Sequence, residues 1–262
     1  MNKAFHRSFA TAQSGSVRES LVAAIERSEL QSDPFDHITM QRLFDDSNYA
    51  ALLAAMPDRG FYHELSHVDA MRSDGSSTRL RLYLYPELLQ GLPDSQRRVW
   101  MPVAQALCSD DLERAFKQKF RRALEHRFEK PVERLRLYPV PILLRDQPGY
   151  RIAIHSDVST KAITVQFYLP ADASQRDIGT IFHAGESGAA AARTTQMPFL
   201  PATGYAFPVS KTASWHSAAQ TTAADGERVS MMVTYYVDEG ARAVLNNRLR
   251  RLGLRVGIHP RG

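Results

Sequence analysis

Cysteine is nearly missing from this 262-residue chain: Cys108 is the only one. No intrachain disulfide can form, and no cluster of thiolates can hold a metal. With no histidine signature beside it, Cys108 reads as a small buried hydrophobe. Long apolar runs are missing too. None approaches the roughly 20 residues that span a bilayer, and Met1–Thr11 lacks the apolar stretch of a signal peptide. The expected setting is a reduced cytoplasm with no membrane partner. Acidic residues are missing from one region. From Ala241 onward there are six arginines (Arg242, Arg248, Arg250, Arg251, Arg255 and Arg261) and no Asp or Glu. The rest of the chain carries 27 basic and 28 acidic residues, so the net charge of +5 belongs to a tail. Residues 239–262 therefore read as a solvated basic helix or tail, and a nucleic-acid partner is disfavoured.

What is present is ordinary globular material, 44% hydrophobic and 23% charged. The length suits one core with a helical annex, and leaves the oligomeric state open. Ser16-Val17-Arg18-Glu19 has capping-box spacing, and Val17, Leu21, Ala24 and Ile25 follow at helical intervals. A second helix is expected over Asp46–Ala55, before Pro57. Residues 58–79 read as strand edges and loop. Ser109-Asp110-Asp111 caps an amphipathic helix whose Leu112, Phe116, Phe120, Leu124 and Phe128 recur every four residues.

Beyond Pro131 the pattern turns to short β-branched and apolar segments. They are Leu135–Leu144, Tyr150–Ile154, Ala162–Leu169, Gly179–His183, Gly204–Val209 and Val229–Val237. Turn residues separate them, and many short strands without intervening helices suggest a sandwich or barrel. No linker divides the chain. It is expected to be a single domain, with 1–130 a mostly helical buttress and substrate-side elements, 131–238 the β core and 239–262 the basic C-terminal helix or tail. The stretch Ala184–Pro201, rich in small residues, reads as a loop that could close over a site as a lid.

Within the β-rich half, His155-Ser156-Asp157 follows a predicted strand. Residues i and i+2 of extended chain point to the same face. His216, preceded by Trp215, comes 61 residues after His155, and Arg228-Val229-Ser230 begins 12 residues after His216. Two imidazoles and one carboxylate can occupy one face of an iron(II) ion, leaving positions for a chelating cosubstrate and for dioxygen. Arg228 and Ser230, another i, i+2 pair, can bind a carboxylate through a planar fork and a hydroxyl. A dicarboxylate bearing a 2-oxo acid at its other end suits that arrangement.

On these residues the chain resembles the iron(II)- and 2-oxoglutarate-dependent oxygenases over roughly Leu135–Val237. Pro148–Asp157, Thr164–Pro170, Gly179–Phe182 and Tyr205–Val209 resemble the family's segments in order and spacing. The resemblance implies a mainly β fold with N-terminal helices (α+β). Its core would be a double-stranded β-helix, or jelly roll, buttressed by helices. It implies iron(II) held by His155, Asp157 and His216, and 2-oxoglutarate held by Arg228 with Ser230. Ascorbate would be a supporting reductant. The shared reaction uses dioxygen, turns 2-oxoglutarate into succinate and carbon dioxide, and hydroxylates an unactivated C–H bond. The family's halogenases carry a small residue where this chain has Asp157, which disfavours halogenation. Arg228 stands where the prolyl hydroxylase branch has lysine.

The expected substrate is a small or carrier-tethered molecule, such as an amino acid or a natural-product intermediate. The alternatives are a hydroxylase of a protein or nucleic acid, and a noncatalytic metal-binding β-barrel. Tyr138, Tyr150 and Gln166 are candidates to line the pocket. Thr164, Gln166 and Tyr168 share one strand face opposite Val165 and Phe167, so one of these rows faces the interior. His183 reads as a solvent-facing strand end, with a fourth ligand as the alternative. Arg145 and Arg151 read as surface arginines, with an anionic substrate as the alternative.

Overall fold

In the computed structural model, which describes residues 17–66 and 68–258, helix α1 covers residues 17–27. Strands β1 (Leu30–Gln31) and β2 (His37–Met40) follow, then helix α2 (Asp46–Ala54) and strands β3 (His63–Glu64) and β4 (Arg79–Tyr83). Helices α3 (Asp94–Leu107), α4 (Asp110–Lys119) and α5 (Arg121–Phe128) come next. Strands β5 (Leu137–Asp146), β6 (Ile152–His155), β7 (Lys161–Tyr168) and β8 (Thr180–His183) succeed them. After the short helix α6 (Gly188–Ala192) come β9 (Thr194–Gln196), β10 (Gly204–Pro208), β11 (Trp215–Ala218) and β12 (Arg228–Val237). Helix α7 (Ala241–Arg255) is the last element among the described residues. Ser16, the expected cap of α1, and Arg261 lie outside the described residues.

The strands form two antiparallel sheets. The larger runs β1-β2-β10-β7-β12-β5-β4-β3 and the smaller β6-β11-β8-β9. The long inner strands read their two faces differently. In β7, Val165 and Phe167 enter a core shared with the helices, where they meet Leu21, Trp100, Phe116 and Phe120. Thr164 and Gln166 point the other way, into a cavity between the sheets. In β12, Met231, Val233 and Tyr235 join the helical core, while Arg228, Met232, Thr234 and Tyr236 line the cavity. The period of two along each strand thus divides structure from site. At one end the gap between the sheets is filled by rings. Phe182 of β8 lies 5.1 Å from Tyr205 and 5.6 Å from Phe207 of β10, centroid to centroid. Edge-on aromatic packing of this kind adds to plain area burial.

The structure corrects several sequence expectations. Before residue 131, β2 and β4 join the helices and extend the larger sheet on either side. The predicted amphipathic helix after Ser109 is two helices that break at Phe120, whose φ is −103° and ψ 19°. An exact four-residue repeat drifts about 40° per step around a helix of 3.6 residues per turn. The break resets that drift, and Leu112, Phe116, Phe120 and Leu124 all stay buried. Ser109 does cap α4, accepting a hydrogen bond from the Leu112 amide at 3.3 Å.

Ala184–Pro201 is not a free loop. It contains α6 and β9, β9 pairs with β8, and Met197 and Phe199 are buried in the inter-sheet cluster. Gly179 admits this segment closely: a Cβ there would fall 1.6 Å from the Met197 carbonyl oxygen.

The basic tail is not simply solvated. Arg248 of α7 pairs with Asp238, and Arg251 with Glu87 through both oxygens. Their guanidinium carbons lie 4.8 Å from the Tyr138 ring centroid and 4.4 Å from that of Tyr85.

Candidate metal centre

Strands β6 and β11 pair so that His155 and His216 are direct partners. Their rings lie 4.2 Å apart, centroid to centroid. Each ring is turned by its own strand. Nδ1 of His155 is 3.0 Å from the Ala153 carbonyl oxygen, and Nδ1 of His216 is 3.0 Å from that of Ser214. A carbonyl only accepts, so Nδ1–H donates in each, and Nε2 is left with its lone pair. Asp157 lies just past the end of β6 and is buried. Its Oδ2 accepts from the Thr164 hydroxyl at 2.6 Å and its Oδ1 from the Lys161 ammonium at 2.5 Å. One donor atom from each of His155, Asp157 and His216 lies within 4.8 Å of the others, within reach of one ion.

Electrostatics hold the set in its ligating charge state. Burial drives the His216 pKa down, and His155 adds to the effect against the attraction of Asp157, leaving it at about 4. Burial alone would raise the Asp157 pKa. The Lys161 ammonium, the neighbouring His216 and the two hydrogen bonds outweigh it and bring the carboxyl to about 2. Near neutral pH His216 is therefore an uncharged imidazole and Asp157 a carboxylate, the forms a metal requires.

The donors open into a cavity of about 590 Å³ that also reaches Arg228. Register builds the far end. Arg228 of β12 and Arg79 of β4 both sit opposite Asp146 of β5. Arg79 holds Asp146 with two bonds, Nε to Oδ1 at 2.6 Å and Nη2 to Oδ2 at 2.9 Å. Arg228 donates from Nη1 to Asp146 Oδ2 at 2.9 Å and from Nη2 to the Thr180 hydroxyl at 3.2 Å. Its buried Nε has no partner among the described residues. Ser230, two residues on, joins a polar network. It accepts from Gln166 Nε2 at 2.8 Å, and the Gln166 carbonyl accepts from Tyr205 at 2.6 Å.

Among the other candidates, Tyr150 and Gln166 line the cavity, whereas Tyr138 packs beneath Arg248. The polar row of β7 is the one facing inward. His183 is a correction: it is buried, with Nε2 2.7 Å from the Ser217 hydroxyl and Nδ1 2.7 Å from the Ala191 carbonyl oxygen. With both nitrogens occupied it is not a fourth ligand. Arg145 pairs with Glu227 at 2.9 Å, and Arg151 is exposed. Cys108 lies beside the cluster beneath α7, and burial raises its thiol pKa to about 12.

Arg79, Asp146 and Thr180 were not among the sequence candidates. The alternation Arg79-Leu80-Arg81-Leu82 could have marked a strand with a charged inner face. Nothing local marks Asp146.

No family model matches the sequence, and no curated protein does. Solved structures match the fold. A prolyl-4-hydroxylase from Pseudomonas putida superposes with a TM-score of 0.51 at 13% identity, covering 84% of this chain and 98% of that one. The non-heme alpha-ketoglutarate-dependent carbocyclase SnoK from nogalamycin biosynthesis gives 0.49 at 12%, with 87% and 89% covered. An oxidoreductase of the 2OG-Fe(II) oxygenase family from Burkholderia pseudomallei gives 0.46 at 15%, with 84% and 89% covered. At such identities the likeness is one of fold, and this chain has the double-stranded β-helix fold of the 2-oxoglutarate- and iron(II)-dependent oxygenases.

Proposed function

We propose that this protein is an iron(II)- and 2-oxoglutarate-dependent oxygenase that hydroxylates an unactivated C–H bond of a small or carrier-tethered molecule. The observation that carries the reading is the convergence of His155, Asp157 and His216 at the mouth of a cavity that also contains Arg228. The donor set fits iron(II): two imidazoles with Nε2 free, one buried carboxylate, and no thiolate. The chemistry iron(II) supplies there is the decarboxylation of 2-oxoglutarate to succinate and carbon dioxide, coupled through dioxygen to C–H oxidation.

The chain's own residues position and charge the site. The Ala153 and Ser214 carbonyls fix the tautomers of the two histidines. Thr164 and Lys161 hold Asp157 in place. Arg228 receives the distal carboxylate, with Asp146 and Arg79 setting the angle of its guanidinium. Thr180 and Tyr205, hydrogen-bonded to each other at 2.9 Å, supply further polar contacts on the cavity wall. The arginines of α7 that are committed to Asp238 and Glu87 speak against a phosphate-rich macromolecule as substrate.

The test is an anaerobic titration of 2-oxoglutarate into iron(II)-loaded protein. A metal-to-ligand absorption band that saturates is the expected result. Absence of the band would leave a metal-binding barrel.

A further inference from the structure

Helix α7 turns an apolar row outward. Its packed face carries Asn247 and Leu254, 8% and 4% exposed. Leu245, Leu249, Leu252 and Val256 are 57%, 53%, 55% and 69% exposed. Around a helix of 3.6 residues per turn these four fall within about 60° of one another, and about 180° from Asn247 and Leu254. They form a row roughly 16 Å long. Ile258, 66% exposed, extends it past the end of the helix, where its amide donates to the Gly253 carbonyl at 2.9 Å. Among the described residues eight large hydrophobic side chains stand exposed, and five of them are these. Single exposed apolar residues are ordinary, whereas a contiguous row marks an interaction surface.

The width of the row and its flanks say what covers it. Apolar residues spaced four, three and four apart make the narrow seam by which one helix lies against another. A helix bedded on a continuous apolar surface presents a face of about 100° or more. The flanks are cationic. Arg248 and Arg255 run along one side, Arg242 heads the row, and no Asp or Glu follows Ala241. Arg248 pairs with Asp238 and Arg255 with Glu87, yet their side chains stay 53% and 51% exposed. Among the described residues the five arginines of α7 have two carboxylate partners, Asp238 and Glu87. Self-pairing sets like charges together in either direction. Two antiparallel copies of α7 would bring Arg248 and Arg255 against their own counterparts, and two parallel copies would bring Arg242 against Arg242 in the seam. A helix with acidic flanks meets attraction instead.

We infer that the outer face of α7 is a docking surface for a helix of another protein, one with an aliphatic seam and acidic flanks. Arg250 of the same helix lines the metal cavity. A partner seated on the row therefore stands roughly 10 Å, one helix diameter, from the cavity wall. The docking itself needs neither iron nor 2-oxoglutarate.

The test is fluorescence anisotropy on the whole chain with a labelled synthetic helix of about three heptads, leucine at its seam and glutamate on both flanks. Micromolar binding is expected. The same probe with lysine on its flanks should bind at least ~10-fold more weakly, and raising salt from about 0.05 to 0.5 M should weaken the glutamate probe. Leu249→Ser and Leu252→Ser should each weaken the glutamate probe by about tenfold or more, the loss of one leucine from the buried seam. Both side chains are more than half exposed in the free protein, so these variants should keep the parent's thermal midpoint. Equal binding of the two probes, affinity unmoved by Leu249→Ser, or no binding at ~0.1 mM would each overturn the inference. So would either other occupant. A dimer in sedimentation that Leu249→Ser dissolves would assign the face to a second copy. Capture on phosphatidylglycerol vesicles that Leu249→Ser abolishes would assign it to a lipid surface.

Discussion

The two ends of the cavity are built in opposite ways. At the metal end the chain does most of the work locally. His155 and Asp157 are two residues apart, and His216 needs a single strand pairing to join them. At the carboxylate end nothing is local. Arg79 reaches Asp146 across 67 positions and Arg228 reaches it across 82, through two neighbouring registers of the larger sheet. A local motif survives small shifts of scaffold, whereas a row across three strands exists only if both registers are correct. The metal end should therefore fail by losing a ligand, and the far end by losing the fold's internal charge balance.

Removing a ligand is the most severe way to test the contrast. His155→Ala, Asp157→Ala and His216→Ala should each abolish productive iron binding, read as metal stoichiometry after dialysis and as loss of the absorption band. Circular dichroism should show a folded chain, since none of the three belongs to a hydrophobic cluster.

Asp146→Asn should behave in the reverse manner. It leaves two cationic guanidiniums, one of them fully enclosed, without their shared carboxylate. Breaking a buried pair in this way costs about 3–5 kcal/mol. Denaturant midpoints should drop accordingly while metal stoichiometry holds. Added 2-oxoglutarate should restore more stability to this variant than to the parent protein, because its carboxylate replaces the lost one. Equal stabilisation of both would separate Asp146 from the cosubstrate site.

Proton uptake probes the metal end without mutation. The pKa of His216 is lowered from 6.5 to about 4 in the folded protein. The unfolded chain therefore binds more protons between these values. Stability from this group is complete above about pH 6.5, and is lost as pH falls towards 4. The whole window is worth on the order of 3 kcal/mol. Urea denaturation of metal-free protein at pH 7 and pH 5 should show the loss, and His216→Gln should flatten it.

The smallest effect concerns Arg228. The charge-assisted contact proposed for it with the distal carboxylate would be worth roughly 1.5–3 kcal/mol. Arg228→Ala should weaken 2-oxoglutarate binding by about tenfold to a hundredfold, and Arg228→Lys by less, because charge remains without the fork. Iron stoichiometry should be unchanged in both. Undiminished 2-oxoglutarate affinity in Arg228→Ala would shift the anchoring role to Arg79, its partner across Asp146.

Legibility in the sequence follows the same divide. Strands β5, β7, β8, β10 and β12 stand out because apolar residues alternate or run together between turn residues, which is a local signal. Helix α3 does not stand out, since Pro102 sits inside it and proline reads as a helix breaker. His183 looked like a strand end open to solvent because its cover, the Ala191 carbonyl and the Ser217 hydroxyl, comes from α6 and β11. The segment after Ala184 looked loose because its small residues conceal two anchors, Met197 and Phe199, whose burial depends on the opposite sheet.

By itself, the sequence determined the chemistry at the metal end: which residue types, at i and i+2, on which strand end. It also determined the period-two division of β7 and β12 into a core face and a cavity face, because alternation is a property of extended chain. Only the tertiary structure decided that Asp146 stands between Arg79 and Arg228, and that Arg81 and Arg250 share a wall of the cavity. Those neighbours are set by strand register and by where α7 docks, and both depend on contacts that no single stretch of chain contains.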